Sequence, residues 1–214
     1  KEPLKSLETH EQRRFIVIDI TLTDFLNIVQ STGMTKLSKI RKIKTREYSP
    51  ASDYYKSLRE AIIEVLSSGD DVADILPAVY GAHQTRQQNY QLIADNFIRW
   101  IATKKGWTWI APPRAYYGDD TIGVKVNPEL AFSDKNGNFH VIKLHFNKDQ
   151  LSKGKLDVAG CLFSQSLAST CPANTNFYFL DLHQGKLFSV KSTTGVDTFL
   201  NAELEYIKSI WNMA

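Results

Sequence analysis

The chain has 214 residues, of which 43% are hydrophobic, 11% aromatic and 23% charged. These proportions are typical of a globular domain with its own core, and they exclude disorder over most of the chain. The formal net charge of +3 is too small to indicate a nucleic-acid partner by itself, so that hypothesis depends on where the charges lie.

The cysteine content and the hydropathy of the sequence indicate the cellular compartment. Cys161 and Cys171 are too few for a disulfide framework, and the sequence has no Cys/His spacing typical of zinc sites. Its apolar runs are all shorter than the ~18 residues of a membrane span, and its first residues are polar rather than signal-like. We therefore expect a cytoplasmic protein with no membrane partner.

The first part of the chain is predicted to be mostly helical. A β-branched run predicts one strand over Phe15–Ile20, after a loose N-terminal arm. Capping residues such as Thr23, Asp24, Ser52 and Asp53 and helical spacing then predict helices over residues 24–33, 53–66, 70–80 and 86–105. We divide the chain into a mostly helical, basic subdomain over residues 1–80 and a core over residues 81–214.

The most basic segment lies within that subdomain. Its six cations are interleaved with aliphatic residues three apart, and they are Lys36, Lys39, Arg41, Lys42, Lys44 and Arg46. Clustered cations of this kind can contact the phosphates of a nucleic acid. The same pattern is equally typical of an amphipathic element with a solvated cationic face, and the sequence leaves both interpretations open.

The core changes to the spacing of strands. Its predicted order is helix, three strands, helix, two strands and helix, with strands over residues 107–111, 124–133, 139–146, 177–182 and 186–190 and helices over 151–168 and 196–211. Asn136-Gly137 lies between two alternating apolar runs and predicts a β-hairpin with arms 124–133 and 139–146. This order predicts an α/β domain.

The two arms of the hairpin carry a resemblance to a known family. The first contains Val126-Asn127-Pro128-Glu129-Leu130, and the second contains His140-Val141-Ile142-Lys143-Leu144-His145-Phe146. With the element order, they resemble the PD-(D/E)xK nuclease superfamily over about residues 86–190. The resemblance implies a restriction-endonuclease-like core, a central mixed sheet flanked by helices. It also implies a role with nucleic acid, in a restriction, defence or mobile-element system.

The residues at the family's catalytic positions differ from its pattern. Glu129 takes the place of the first acid, Lys143 falls where the second acid is expected, and His145 falls where the catalytic lysine is expected. Nucleases of this family hold Mg²⁺ between two carboxylates and a backbone carbonyl. An ammonium beside Glu129 would pair with it and repel a divalent cation. A register slip of one residue would still leave the second acid missing.

Three interpretations of the hairpin therefore stay open. The one we favour is a catalytically inactive protein without a metal cofactor, which binds nucleic acid, with DNA expected before RNA as the ligand, or serves as a scaffold for a partner protein. The second is an active Mg²⁺-dependent endonuclease whose missing acid comes from Asp95, Asp119 or Asp120. The third is an ordinary strand pair with Glu129, Lys143 and His145 on its solvent face. A homo-oligomer is compatible with each.

Overall fold

The structure is a computed structural model that describes residues 18–46, 53–211 and 213. The strands in chain order are β1 (Ile18–Thr21), β2 (Thr108–Ile110), β3 (Ala115–Gly118), β4 (Ile122–Val126), β5 (Leu130–Ser133), β6 (Phe139–His145), β7 (Thr175–Asp181) and β8 (Lys186–Val190). The helices are α1 (Leu22–Val29), α2 (Gly33–Lys44), α3 (Lys56–Ser68), α4 (Leu76–Tyr80), α5 (Gln84–Ala102), α6 (Lys153–Ser166) and α7 (Val196–Trp211). The N-terminal arm and the candidate cap Ser52 lie outside the described residues.

The central sheet has five strands in the order β2-β5-β6-β7-β8. Strands β6 and β7 are parallel and the other neighbours are antiparallel, so the sheet is mixed. Helices cover both of its faces, which confirms the predicted α/β class with a central mixed sheet flanked by helices. The hairpin at Asn136-Gly137 is also confirmed: Gly137 has a φ of 79°, and its N–H donates to the carbonyl of Asp134 at 2.9 Å.

The first arm of the predicted hairpin is not one strand. Strand β4 ends at Val126 and lies in a second sheet with the order β1-β4-β3, whereas β5 begins at Leu130 in the central sheet. Pro128 lies between the two strands, and a proline has no N–H to donate to a sheet ladder. The predicted strand over 124–133 is therefore wrong at this point, because the chain passes from one sheet to the other.

Two apolar clusters cover the two faces of the central sheet. The α5-side cluster joins buried residues of α3, α4 and α5 to one face, among them Leu58, Ile62, Val79, Ile93, Phe97, Ile142 and Leu180. The α6-side cluster joins the smaller sheet and α1, α2, α6 and α7 to the other face, among them Ile20, Phe25, Ile40, Val124, Val141, Phe163 and Leu204. Elements on both sides of residue 80 share each cluster, and the division into two parts stays a prediction.

Several local predictions differ from the structure in their details. The side chain of Thr21, rather than that of Thr23, caps α1 by accepting the N–H of Asp24 at 3.1 Å. The predicted helix over residues 70–80 is an α-helix only from Leu76, and Pro77 stands in its first turn, where its missing N–H costs no helical hydrogen bond. Strand β3 was not predicted. Among the described residues, none of the helices has both the length and the hydropathy of a membrane span.

Candidate functional site

The β5–β6 pairing brings Glu129 and Lys143 together. Leu130 lies opposite Ile142 in this antiparallel pair, and one further residue along the register places Glu129 opposite Lys143. The ammonium of Lys143 contacts Oε1 of Glu129 in a short ion pair. The side chains are only 13% and 11% exposed. The predicted contact between these two residues therefore forms, and it is largely shielded from solvent.

Backbone groups complete the surroundings of this ion pair. Oε2 of Glu129 accepts the N–H of Leu144 at 2.8 Å, and Nζ of Lys143 also donates to the carbonyl of Asn127 at 3.2 Å. The guanidinium of Arg59 on α3 lies close enough to interact electrostatically with the same carboxylate. Burial alone would lower the pKa of Arg59, but its hydrogen bond with Asp53 and the nearby charge of Glu129 raise it. Glu129 thus lies among two cations and an amide.

His145 is the third residue at the family positions, and it follows Lys143 by two residues on β6. Its ring is buried, and Nε2 lies 2.7 Å from the carbonyl oxygen of Asp149. Burial lowers the pKa of His145, against smaller opposing effects of the Asp149 carbonyl and the charge of Asp181, and the charge of Lys155 also lowers it. The surroundings of His145 therefore favour its neutral form.

Mg²⁺, which the family resemblance implies, does not fit these residues. Mg²⁺ needs oxygen ligands in near-octahedral geometry and is usually held through carboxylates. One oxygen of Glu129 is taken by an ammonium and the other by an amide, and Lys143 places a positive charge where a second acid would be needed. Across the described ranges, no group of three or more His, Cys, Asp or Glu side chains is arranged to hold a metal ion.

The three acids considered as relocated ligands are found elsewhere. Asp95 lies on the exposed side of α5, where it accepts a hydrogen bond from Gln91 at 2.8 Å. Asp119 and Asp120 lie in the β3–β4 turn, at the end of β4 opposite to Asn127. A hydrogen bond from Lys208, helped by two backbone N–H groups, lowers the pKa of Asp119 to about 2. Glu129 is bound instead by the ammonium of Lys143 and the N–H of Leu144.

The basic segment forms α2 and the residues just after it, and much of its charge is used inside the protein. Lys36 forms an ion pair with Glu203 of α7, at 2.8 Å from each carboxylate oxygen. Arg46 donates to both oxygens of Asp24, at 3.1 and 3.2 Å. These contacts tie α2 to α1 and α7.

Two further lysines of the segment bind backbone carbonyls. Nζ of Lys39 donates to the carbonyl of Asn27 at 3.0 Å, and Nζ of Lys44 donates to that of Trp211 at 2.7 Å. Arg41 and Lys42 are exposed, and within the described ranges they make no side-chain hydrogen bond or ion pair. Of the six predicted phosphate contacts, these two are the ones whose side chains have no hydrogen-bonding partner among the described residues.

Sequence analysis missed three groups that surround the ion pair. The carbonyl of Asn127 and the N–H of Leu144 are backbone groups, and the third is the side chain of Arg59. Pro128 was a usable signal for the first of them, because a proline within a strand pattern predicts an interruption that frees neighbouring carbonyls. Arg59 comes from a helix about seventy residues earlier in the chain, and no local pattern connects it with Glu129.

Comparison with known proteins gives a likeness of fold. No family model matches the sequence, and no curated protein matches it. Among solved structures, the chain is similar to the crystal structure of a "Putative exonuclease" from Eubacterium rectale, with a TM-score of 0.50 and 10% sequence identity. The likeness covers 99% of this chain and 88% of that one. It supports a nuclease-like fold, and at this identity it carries no statement about activity.

Proposed function

We propose that this protein is a member of the PD-(D/E)xK superfamily that binds nucleic acid without cleaving it. The nuclease-like fold and the hairpin motifs support the family. The observation that carries the inactive site is the neutralised carboxylate of Glu129, which is bound by the ammonium of Lys143 and the N–H of Leu144. Without a free pair of carboxylates, the site holds no metal to activate a water molecule.

Cations beside the site support nucleic acid as the ligand. Lys148 and Lys153 are exposed on the connection from β6 to α6 and on the first turn of α6, and Lys155 is half-buried on the same turn. The charge of Lys155 reaches His145, which places it close to the site. The Glu129–Lys143 pair stands where the family resemblance places the substrate cleft, and we call this position the cleft. Positive charges near it attract the phosphates of a nucleic acid. Arg41 and Lys42 on α2 are the alternative contact, with fewer available charges.

The test of inactivity combines metal titration with a cleavage assay. Mg²⁺ and Mn²⁺ are titrated calorimetrically into the wild-type protein and the Glu129→Ala variant, and both proteins are incubated with labelled single- and double-stranded DNA and RNA. We expect no metal uptake and no cleavage from either. Metal-dependent cleavage that disappears in Glu129→Ala would show instead an active endonuclease with a recruited ligand.

The test of binding uses charge reversal at two ends of one strand. Lys148→Glu lies beside the C-terminal end of β6, and its control, Lys135→Glu, makes the same change in the hairpin turn at the other end. We expect Lys148→Glu to weaken binding of a labelled DNA duplex about tenfold at low salt and to reduce the salt dependence by about one phosphate contact. Equal effects of the two variants would contradict binding at the cleft.

The basic segment is tested with the same probe. If α2 forms the contact, Arg41→Glu/Lys42→Glu will weaken duplex binding more than Lys148→Glu does. If neither variant changes the affinity, and the wild-type protein shifts no nucleic acid at all, the binding proposal is wrong. A role as a scaffold for a partner protein, or for a second copy of the chain, would then be the better hypothesis.

A further inference from the structure

The ammonium of Lys143 is held by ligands of the kind that bind a hard metal cation. Its acceptors are a carboxylate oxygen of Glu129 and the backbone carbonyl of Asn127. Carboxylate and carbonyl oxygens are the ligands that Mg²⁺ and Ca²⁺ take in proteins. The chain supplies this ammonium from a strand of its own central sheet, so the cation is covalently attached and always present.

Charge balance also favours an ammonium in the place of a metal cation. A divalent cation with two carboxylates has a net charge of zero, and so does an ammonium with a single carboxylate. A lysine at the position of the second acid, here Lys143, therefore balances the charge of Glu129 without a metal. No unbalanced charge is left in this poorly solvated place. Glu129 also keeps an amide partner at 2.8 Å, as a metal-binding carboxylate is commonly hydrogen-bonded to its surroundings.

We propose that Lys143 is a built-in cation that replaces a divalent metal in this cleft, and that the protein binds a phosphodiester there with no requirement for metal. An ammonium has three N–H donors, and two of them have acceptors among the described residues. The third has no acceptor among the described residues, and the proposal assigns a phosphate oxygen to it. An ammonium has no open coordination position for water, so it can bind a phosphate but cannot generate a metal-bound hydroxide. The phosphodiester part of this inference rests on the proposed function.

The first experiment tests the cation site without nucleic acid. Lys143→Glu places a second carboxylate beside Glu129 and removes the ammonium. We expect this variant to take up about one Mn²⁺ per chain in calorimetry, and Mn²⁺ to raise its thermal unfolding midpoint, whereas the wild-type protein shows neither effect. A folded Lys143→Glu protein that takes up no Mn²⁺ would overturn the inference. Circular dichroism establishes whether the variant is folded.

The second experiment measures the affinity for a labelled DNA duplex in EDTA and in Mn²⁺. We expect the wild-type affinity to be the same in both conditions. The affinity of Lys143→Glu should fall at least tenfold in EDTA and recover in Mn²⁺. The affinity of Lys143→Gln should fall in both conditions. Lys208→Gln is the matched control, because it removes a lysine of similar exposure from the Lys208–Asp119 pair, at the end of β4 opposite to Asn127. Its duplex affinity should equal that of the wild type.

The outcomes separate this inference from the proposed function. If the wild-type protein binds the duplex and Lys143→Gln binds it equally well, Lys143 is not the phosphate contact and the inference is wrong, while nucleic-acid binding stands. A wild-type affinity that requires Mn²⁺ would also overturn it. If the wild-type protein binds no duplex, the proposed function fails, and Mn²⁺ uptake by Lys143→Glu still decides whether the oxygen ligands form a cation site.

Discussion

Two lysine–glutamate pairs lie in different regions of this protein and are buried to almost the same degree. The side chains of Lys143 and Glu129 in the cleft are 13% and 11% exposed, and those of Lys36 and Glu203 between α2 and α7 are 13% and 12% exposed. In the helical pair, Lys36 contacts both carboxylate oxygens itself and lies over the ring of Tyr206. In the cleft, each partner of the pair also contacts a backbone group.

The difference separates two pairs that their burial alone does not distinguish. Glu203 has Lys36 as its hydrogen-bonding partner among the described residues and lies on a surface helix, so the pair is sufficiently explained as a tie between α2 and α7. Glu129 and Lys143 are fixed by the strands, at the point where the chain crosses from one sheet to the other. Their geometry is therefore set by the fold, which is what a binding site needs.

The largest expected effect is the loss of one partner from the cleft pair. Lys143→Met leaves the Glu129 carboxylate poorly solvated without its ammonium, and we expect the free energy of unfolding to fall by about 3 kcal/mol. Lys36→Met should cost only about 1 kcal/mol, because Glu203 can turn from the surface of α7 into water. Urea denaturation measures both. Equal losses would mean that the backbone contacts of Glu129 do not distinguish the two pairs.

The next largest effect is a pH dependence of stability that comes from His145. Burial lowers the pKa of His145 below its ordinary value of 6.5, so the unfolded chain takes up a proton at a pH where the folded protein does not. The folded state therefore loses stability as the pH falls below 6.5, by at most about 1.4 kcal/mol per pH unit. Urea midpoints at pH 7.5, 6.5 and 5.5 should decline more steeply for the wild type than for His145→Gln. Parallel pH profiles would contradict this assignment.

A smaller change is expected when both charges of the cleft pair are removed together. Glu129→Gln/Lys143→Met leaves no buried charge, and the glutamine oxygen can still accept the N–H of Leu144. Because the cost of desolvating two charges offsets much of their attraction, the double variant should lie within about 1 kcal/mol of the wild type. A double variant as unstable as Lys143→Met would show that the pair itself, rather than the unpaired carboxylate, provides the stability.

The smallest effect is expected at a third, exposed pair. Lys208 of α7 contacts Asp119, but the carboxylate side chain is 54% exposed, so water and salt screen the interaction. Lys208→Met should leave the urea midpoint unchanged within the scatter of repeated measurements. A clear loss of stability there would show that accessibility is a poor guide to the strength of these pairs.

Local patterns predicted much of the fold. The Asn136-Gly137 turn, strand β8 and helix α7 lie where the sequence placed them, because each is specified by residues next to one another. Strand β3 was missed because Ala-Tyr-Tyr-Gly follows two prolines and has no β-branched residue. Its pairing with β4 comes from the tertiary structure, as does the parallel pairing of Ile18 with Ile122, about a hundred residues later.

In the candidate site, too, contacts between neighbours in sequence could be predicted and contacts between distant residues could not. The contact between Glu129 and Lys143 could be predicted because both residues belong to one local hairpin, whose register follows from its turn. The contacts of the basic segment could not be predicted, because Lys36 and Lys44 bind partners on α7, at a separation of 167 residues. Their assignment as phosphate contacts stays a prediction. Only the tertiary structure shows that four of the six cations bind groups within the chain.

The composition of the α6-side cluster also determines when this protein can fold during synthesis. Ile18 and Ile20 of β1 enter it from the beginning of the described chain, and Leu204 and Ile207 of α7 enter it from the far end. At a translation rate of about 5–20 residues per second, roughly ten seconds or more separate these two groups. Until α7 has left the ribosome, the apolar side chains of β1, α1 and α2 stay partly uncovered. We therefore expect the nascent chain, rather than the folded protein, to expose the apolar surface that chaperones bind.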